Sequence, residues 1–428
     1  MLLLIWLLPA QVLAQRPLSA ADAQAVLEAR QHVDTLCSRF FAGRGYADDG
    51  HVRAAAYLAG QFQRLGLEPS GNAGQYFQYF TIQINLVKGA GLTIDGQALR
   101  PGHDFIVYRA SGAGEVAGRV VDMGYGLKPS KKAAGRIVLL RDGWPADIAN
   151  DADKRMQYED LAHLPQRLAA LMPYKPLAFV VVQNKLTAGF AREVLPVPVV
   201  EVLTTALPAR PREARLHVRA GLETLRTQNV IGMIRGSRVP DTAIVISAHY
   251  DHLGTLDTAY FPGASDNASG TAMLLSMAAY FAQPEHRPRY TLLFIAFGAE
   301  ETGLLGSRHY VERDPRVRLA QIRFILNLDL MGNGIDGITA VGGKDYPAYF
   351  DQLVRLNDSL QAVPKVAARS NAPNSDHYFF LQAGVPGFFI YTLGGPPHYH
   401  DVNDTASHLE LSRYAQVRRL LLAFLEQL

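Results

Sequence analysis

The sequence predicts an α/β protein, a mostly parallel mixed sheet between helices, with a small β-rich domain inserted into it. Three observations predict it. From about residue 228 onward, near-continuous apolar runs of strand length alternate with stretches of helical periodicity, as expected for strands buried on both faces. The 428 residues exceed what one ordinary core organises, so two domains are expected. Between about 88 and 210 the texture changes to short strand-like runs punctuated by glycine.

Each element has its own justification. Residues about 20–66 read as helices. Ala54-Ala-Ala-Tyr-Leu-Ala-Gly-Gln-Phe-Gln-Arg-Leu65 carries apolar residues at helical spacing and stops at Gly66. Tyr76 to Val87 alternates and is rich in aromatic and β-branched residues, so it reads as a strand. Gly118-Arg-Val-Val-Asp-Met-Gly124, Gly135-Arg-Ile-Val-Leu-Leu-Arg141, Leu177-Ala-Phe-Val-Val-Val-Gln183 and Leu195-Pro-Val-Pro-Val-Val-Glu201 are the strands of the glycine-punctuated stretch, with a polar helix near 149–171. Beyond it, strands over 243–247, 290–297, 324–330 and 385–391 alternate with helices over 268–281, 303–313, 347–361 and 409–427. Asn267 or Ser269 caps the helix from 268. These readings divide the chain into a leader (1–14), the first part of the main domain (15–87), the insert (88–210) and the remainder of the main domain (211–428). The alternative is that the strands of 88–210 extend one large sheet.

Hydrophobic residues make up 48% of the chain, in the range of globular proteins, and the net charge is +3. So small a charge gives no reason to expect nucleic acid or an anionic membrane as partner. Met1-Leu-Leu-Leu-Ile-Trp-Leu-Leu8 breaks at Pro9, and Val12-Leu-Ala14 carries small residues where a signal peptidase reads. A cleaved signal peptide over 1–14 is therefore expected, and with it a secreted or periplasmic protein; a buried strand or an uncleaved anchor is the alternative. The run is too short to span a bilayer, so no stable membrane insertion is expected. Cys37 is the only cysteine, which rules out an intrachain disulfide. It lies on an amphipathic stretch and reads as a buried small hydrophobe.

The chemistry concentrates in five short segments: Ser247-Ala-His-Tyr-Asp251, Ala264-Ser-Asp-Asn-Ala-Ser-Gly270, Gly298-Ala-Glu-Glu-Thr302, Leu326-Asn-Leu-Asp329 and Tyr399-His-Asp-Val-Asn-Asp404. Open α/β sheets bind ligands outside the carboxyl ends of their strands. His249, Glu300, Glu301 and Asp329 all follow apolar strands at such ends, and Asp266 lies in a loop entering a helix. His nitrogen and Asp/Glu oxygen suit Zn²⁺. His249, Asp266, Glu300, Glu301, Asp329 and His400 supply five ligands and one spare carboxylate, the set a two-metal hydrolytic site with its own general base requires. Asp251 shares a face with His249 and can accept a hydrogen bond from one imidazole nitrogen while the other binds metal. Asp266 has two oxygens with which to bridge two metals. Glu300 and Glu301 repel each other unless a cation or proton separates them. Asp329 ends an apolar strand, where a buried carboxylate needs a partner. His377, His398, His400 and His408 compete for the last ligand position; chemistry alone leaves the choice open. His377 follows Ser375-Asp376 at a helix start and reads as a site-wall or structural residue.

Taken together, His-Tyr-Asp, Ser-Asp-Asn-Ala-Ser-Gly, Gly-Ala-Glu-Glu, Asn-Leu-Asp and Tyr-His-x3-Asp-Thr resemble the di-zinc exopeptidases of the leucyl aminopeptidase, aminopeptidase Y and glutamate carboxypeptidase II group, in order and spacing across roughly 228–408. Phe41-Ala-Gly-Arg-Gly45 and Arg64-Leu-Gly-Leu67 resemble that family's N-terminal helices, and Gly135–Gly143 with Val197-Pro-Val-Val200 resembles a protease-associated domain. The resemblance implies a zinc exopeptidase fold, two Zn²⁺ and peptide substrates. It implies that His249 and Asp329 bind one zinc, that Glu301 and His400 bind the other, and that Asp266 bridges them. Glu300 is then the general base and Tyr399 an oxyanion stabiliser. His400 rather than His398 fits the final ligand, because Asp404-Thr405 follows it at the family's spacing; Asp401 stands where members often have Thr or Ser. The resemblance also implies a cis peptide at Asp266–Asn267 and an insert beside the mouth of the site.

The leading expectation is an aminopeptidase. A carboxypeptidase for acidic peptides would need an arginine cluster in the pocket, with Arg369 and Arg323 as candidates. A glutaminyl cyclase-like acyl transferase would use one zinc. A non-catalytic receptor would have lost ligands or base, and none is lost here.

Overall fold

The protein is described by a computed structural model over residues 18–428. The expected leader over 1–14 lies outside the described residues. A mixed, largely parallel sheet of fifteen strands runs through the molecule. Its centre is the strand Val239–His249, parallel on one side to Tyr290–Phe297 and on the other to Ile322–Leu328. Gly387–Leu393 continues the sheet in parallel beyond Ile322–Leu328, and Gly337–Val341 with Val366–Arg369 completes that edge in the opposite direction.

The central strands read as unbroken apolar runs because both faces are covered. Ile244 and Ile246 pack with Phe294, Phe324 and Leu326 against helices Ala20–Leu36, Gly50–Arg64, Ser269–Phe281 and Tyr414–Glu426. Ala243 and Val245 point the other way, to Leu293, Ile295, Tyr310 and Phe380, as the two-residue period of a strand dictates. Cys37 is buried in the first of these cores, and burial pushes its thiol up to about 12.

The strands of the β-rich part continue this same sheet, carried on two long strands. Phe77–Ile94 pairs antiparallel with Glu213–Ile234 along nearly its whole length, and Gly114–Asp122 adds to the far end of the latter. From there Ile137–Arg141, Ala178–Gln183 and Val199–Leu203 follow in parallel, packed around their own cores. The expected boundary at 87/88 falls inside the strand Phe77–Ile94, at a bulge between Val87 and Gly89.

Three helices differ from expectation. The single helix near 149–171 is instead a set of short helices, Ala152–Met156 and Leu164–Leu171 among them. Residues 151–160 carry no apolar stripe to bury, and Pro165 can sit only in a helix's first turn. The helix expected from 303 begins at Leu305, after Gly303 and Leu304 adopt positive φ, and the one expected from 409 begins at Tyr414, after Leu411 does so.

Candidate metal centre

The carboxyl ends of three adjacent parallel strands bring His249, the Glu300–Glu301 pair and Asp329 to one rim. Asp266 reaches the same point from the loop before helix Ser269–Phe281. The N-cap position of that helix is held by Ala268, not by the expected Asn267 or Ser269, and has no capping side chain; Asn267 Oδ1, from one residue earlier, accepts from Gly270 N at 2.9 Å. The Asp266–Asn267 peptide is cis.

The geometry centres on Asp266. Its Oδ1 lies 3.3 Å from His249 Nε2, which is also 3.4 Å from Asp329 Oδ1. Its Oδ2 lies 3.1 Å from His400 Nε2, which is also 3.1 Å from Glu301 Oε2. The two oxygens of one carboxylate thus face two separate donor sets. Glu300 stands with Glu301 and His249 in a third grouping, their donor atoms within 4.8 Å of one another.

Several elements hold the Asp266 loop. Asp404 accepts from Ser265 N at 2.9 Å and Asp266 N at 3.0 Å, which gives the Asp four residues beyond His400 a physical role. Arg44, fully buried, donates to the carbonyls of Tyr250, Leu36, Pro262, Gly263 and Asp266. Gly263 has positive φ, and a Cβ there would run into Asp266 O, the His252 ring and the Arg44 guanidinium.

Asp251 differs from expectation. Its carboxylate does not take the His249 ring; His249 Nδ1 meets the backbone carbonyl of Asp251 at 3.1 Å, while Asp251 Oδ1 is 3.9 Å away. The carboxylate instead accepts from Tyr46 hydroxyl at 3.0 Å and Glu300 N at 3.1 Å. Two residues apart on extended backbone share a face, but the turn after His249 carries the carbonyl, not the side chain, to the ring.

His252 and Ser375 join the site without having been singled out in the sequence. His252 is fully buried, with Nδ1 2.7 Å from Glu301 Oε1. The only signal for it was its place three residues beyond His249. Ser375 donates to Asp329 Oδ2 at 2.9 Å and accepts from Asn327 Nδ2 at 2.9 Å; Ser247 donates to Asn327 Oδ1 at 2.7 Å. Of the other candidates, Tyr399 stacks on His400 with ring centroids 3.9 Å apart and is 49% exposed at the rim. His398 packs on His408, with ring centroids 5.1 Å apart. His377 is buried against Phe389, and burial pushes it down to about 3.

The residues fit a cation. Asp251, Asp266, Glu300, Glu301, Asp329 and Asp376 crowd around three imidazoles, more negative charge than a buried site sustains unaided. Burial, then Glu301, Asp376 and Asp329, push Glu300 well above the usual carboxylate range; only His249 opposes them. Burial works to lower His400, but Glu301 and Asp266 carry it up to about 11. His249 Nε2, Asp329 Oδ1 and His252 Nε2 are buried without hydrogen-bond partners. Converging, unpartnered N and O atoms of this kind suit Zn²⁺.

Residues 229–425 match the model of peptidase family M28. Among characterised relatives, the chain is 31% identical over 230 residues to aminopeptidase YwaD of Bacillus subtilis, covering 50% of this chain and 47% of that one. It is 37% identical over 223 residues to a glutamate carboxypeptidase 2 homolog of Caenorhabditis briggsae, covering 44% and 28%. The chain thus spans about half or less of the length of these curated relatives. In fold it is similar to BSAP, a zinc aminopeptidase from Bacillus subtilis, with a TM-score of 0.70 and 21% identity over 94% of both chains.

Proposed function

We propose that the chain, whose residues 229–425 match the model of peptidase family M28, is a zinc-dependent metallo-exopeptidase, an aminopeptidase that removes N-terminal residues from peptides at a two-zinc site. One observation carries the reading: the two oxygens of Asp266 face the separate donor sets of His249 with Asp329 and of Glu301 with His400. These residues would hold the two ions. Bound there, zinc lowers the pKa of water towards neutrality and polarises the scissile carbonyl.

The chain's own residues supply the rest. Glu300 stands in neither of the donor pairs that meet at Asp266, so it is the carboxylate left to take a proton from the attacking water and deliver it to the leaving amine. His252 fixes Glu301 through Oε1 and leaves Oε2 towards His400. Asp251 holds the Glu300 backbone through its amide. Tyr399, at the rim, offers its hydroxyl to the substrate oxygen on which charge develops. We read 88–210 as the protease-associated insert of such an enzyme.

The acidic-peptide reading loses its arginines. Arg323 sits at the amino end of strand Ile322–Leu328, with its guanidinium over Tyr290, at the opposite end of that strand from Asp329. Arg369 lies on the edge strand, three strands from Ile322–Leu328, and donates to Tyr391.

The test is zinc stoichiometry of the reconstituted chain, together with hydrolysis of aminoacyl substrates with free and blocked amino groups. Two zinc ions per chain, activity lost to chelator and dependence on a free amino group are expected. One zinc per chain with cyclisation of N-terminal glutamine would overturn the reading.

A further inference from the structure

The β-rich part does more than flank the metal centre. Between its strands Ala178–Gln183 and Val199–Leu203 runs a long irregular connection, residues 184–198. Irregular connections of this length are uncommon in compact domains and usually functional.

This connection touches the site at two points. Ala188 pairs reciprocally with His400: His400 Nδ1 lies 2.8 Å from Ala188 O, and Ala188 N donates to His400 O at 3.2 Å. Two residues on, Phe190 meets Tyr46 edge to face at 5.6 Å, and Tyr46 donates to Asp251. The connection is itself anchored to the long strand, since Asn85 N donates to Ala191 O at 2.8 Å.

The Ala188 pairing does two things to His400. A carbonyl accepts only from a protonated nitrogen, so Nδ1 carries a hydrogen, and Nε2 is the nitrogen whose proton a cation would replace. Nε2 is the atom that lies 3.1 Å from both Asp266 Oδ2 and Glu301 Oε2. The pairing also braces the His400 backbone, whose φ of +57° is one that residues with a side chain seldom adopt. The outer partner of a metal-binding histidine commonly sets its tautomer and orientation. Here that partner comes from a different part of the chain than the other site residues.

We propose that the 184–198 connection is a working part of the metal centre, with Ala188 as a positioning residue that aims His400 through its backbone. This rests on the reading of His400 as a ligand. It follows that 88–210 cannot be removed to widen the mouth of the site without weakening the ion that His400 holds.

Three variants test it. Ala188→Pro removes the N–H that His400 O accepts and shifts the carbonyl. Ala188→Gly keeps both backbone groups. Phe190→Ala frees the connection from Tyr46. Each is reconstituted with Co²⁺, the two equivalents are followed by their visible spectra, and zinc affinities are measured by chelator competition; circular dichroism and thermal melting report folding. Ala188→Pro should bind one equivalent about 10–100-fold more weakly, the usual effect of losing such a partner, with the other equivalent unchanged. Ala188→Gly should match the parent and Phe190→Ala should fall between. A folded Ala188→Pro with both affinities at the parent's level would overturn the proposal. If Ala188→Pro does not fold, parental affinities and spectra in Phe190→Ala would do the same. Uptake of fewer than two equivalents by the parent chain would instead sink the two-zinc reading beneath it.

Discussion

Ser375→Ala tests how the Asp329 carboxylate is held. Ser375 stands in a buried chain: Ser247 donates to Asn327, Asn327 to Ser375 and Ser375 to Asp329, at 2.7, 2.9 and 2.9 Å. Alanine removes a bond to a charged acceptor, worth about 1.5–3 kcal/mol, and strands the Asn327 amide, which costs about 1–3 kcal/mol if nothing replaces its partner. Partial relaxation makes a loss of about 3 kcal/mol the working figure for the metal-free fold, read as a lower urea midpoint. Asp329 keeps its Oδ1 near His249, so metal binding should weaken rather than vanish. A fall of about 10–100-fold in zinc affinity, or about 1.4–2.8 kcal/mol, is expected by chelator competition. Zinc should therefore restore less stability to Ser375→Ala than to the parent. An unchanged midpoint together with zinc affinity within twofold of the parent would show that Asp329 is held by other means.

Glu300→Gln should retain both metals and lose about 10²–10⁴ in turnover, since only proton transfer is removed; near-parental turnover would exclude Glu300 as the base. Asp266→Asn should instead lose metal, measured as zinc content after dialysis, because neither donor set keeps a charged bridge. Glu201, half-buried beside Gln183, has its carboxyl pushed by desolvation up to about 7 from an ordinary 4.5. Its folded value is raised, so its contribution is full below about 4.5 and lost as pH rises through about 7. That loss is worth about 3 kcal/mol. Glu201→Gln should flatten the fall in urea midpoint across this window, and an unaltered slope would count against it.

Much of the site was legible because strand ends announce themselves. An apolar run that stops at His249, Glu300 or Asp329 leaves a polar group at the rim of a sheet whose order can be guessed from alternation with helices. Asp266 was legible from its small neighbours, and His400 from the spacing to Asp404 implied by family resemblance. The rest depended on contacts between distant parts of the chain. Ser375 meets Asp329 and Ala188 meets His400 through tertiary packing, which no local pattern encodes. Asp251 was misread in detail because the chain turns after His249, and the period-two rule holds only while the strand continues. The polar stretch near 149–171 had helical composition, but only its last part, Leu164–Leu171, had a stripe to bury, so it broke into pieces. The reach of Phe77–Ile94 past Val87 was hidden by Lys88 and the glycines beside it.

The bulge between Val87 and Gly89 has a consequence for how this chain can vary. Ahead of it, Phe80, Ile82, Ile84 and Leu86 share a core with Tyr46 and Ala299; past it, Ala90, Leu92 and Ile94 share another with Ile137, Val180 and Val200. Opposite them, the partner strand offers Leu225 to the first core but Leu216 and Val218 to the second, so its inward residues change from odd to even numbers. The bulge is a gear tooth that meshes two cores of different phase on one ribbon. Deleting a single residue there would slip that phase and turn one core's apolar side chains to water. Lengthening or shortening should therefore be tolerated in those connections of the β-rich part that do not reach the site, unlike 184–198, and forbidden in the ribbon that carries it.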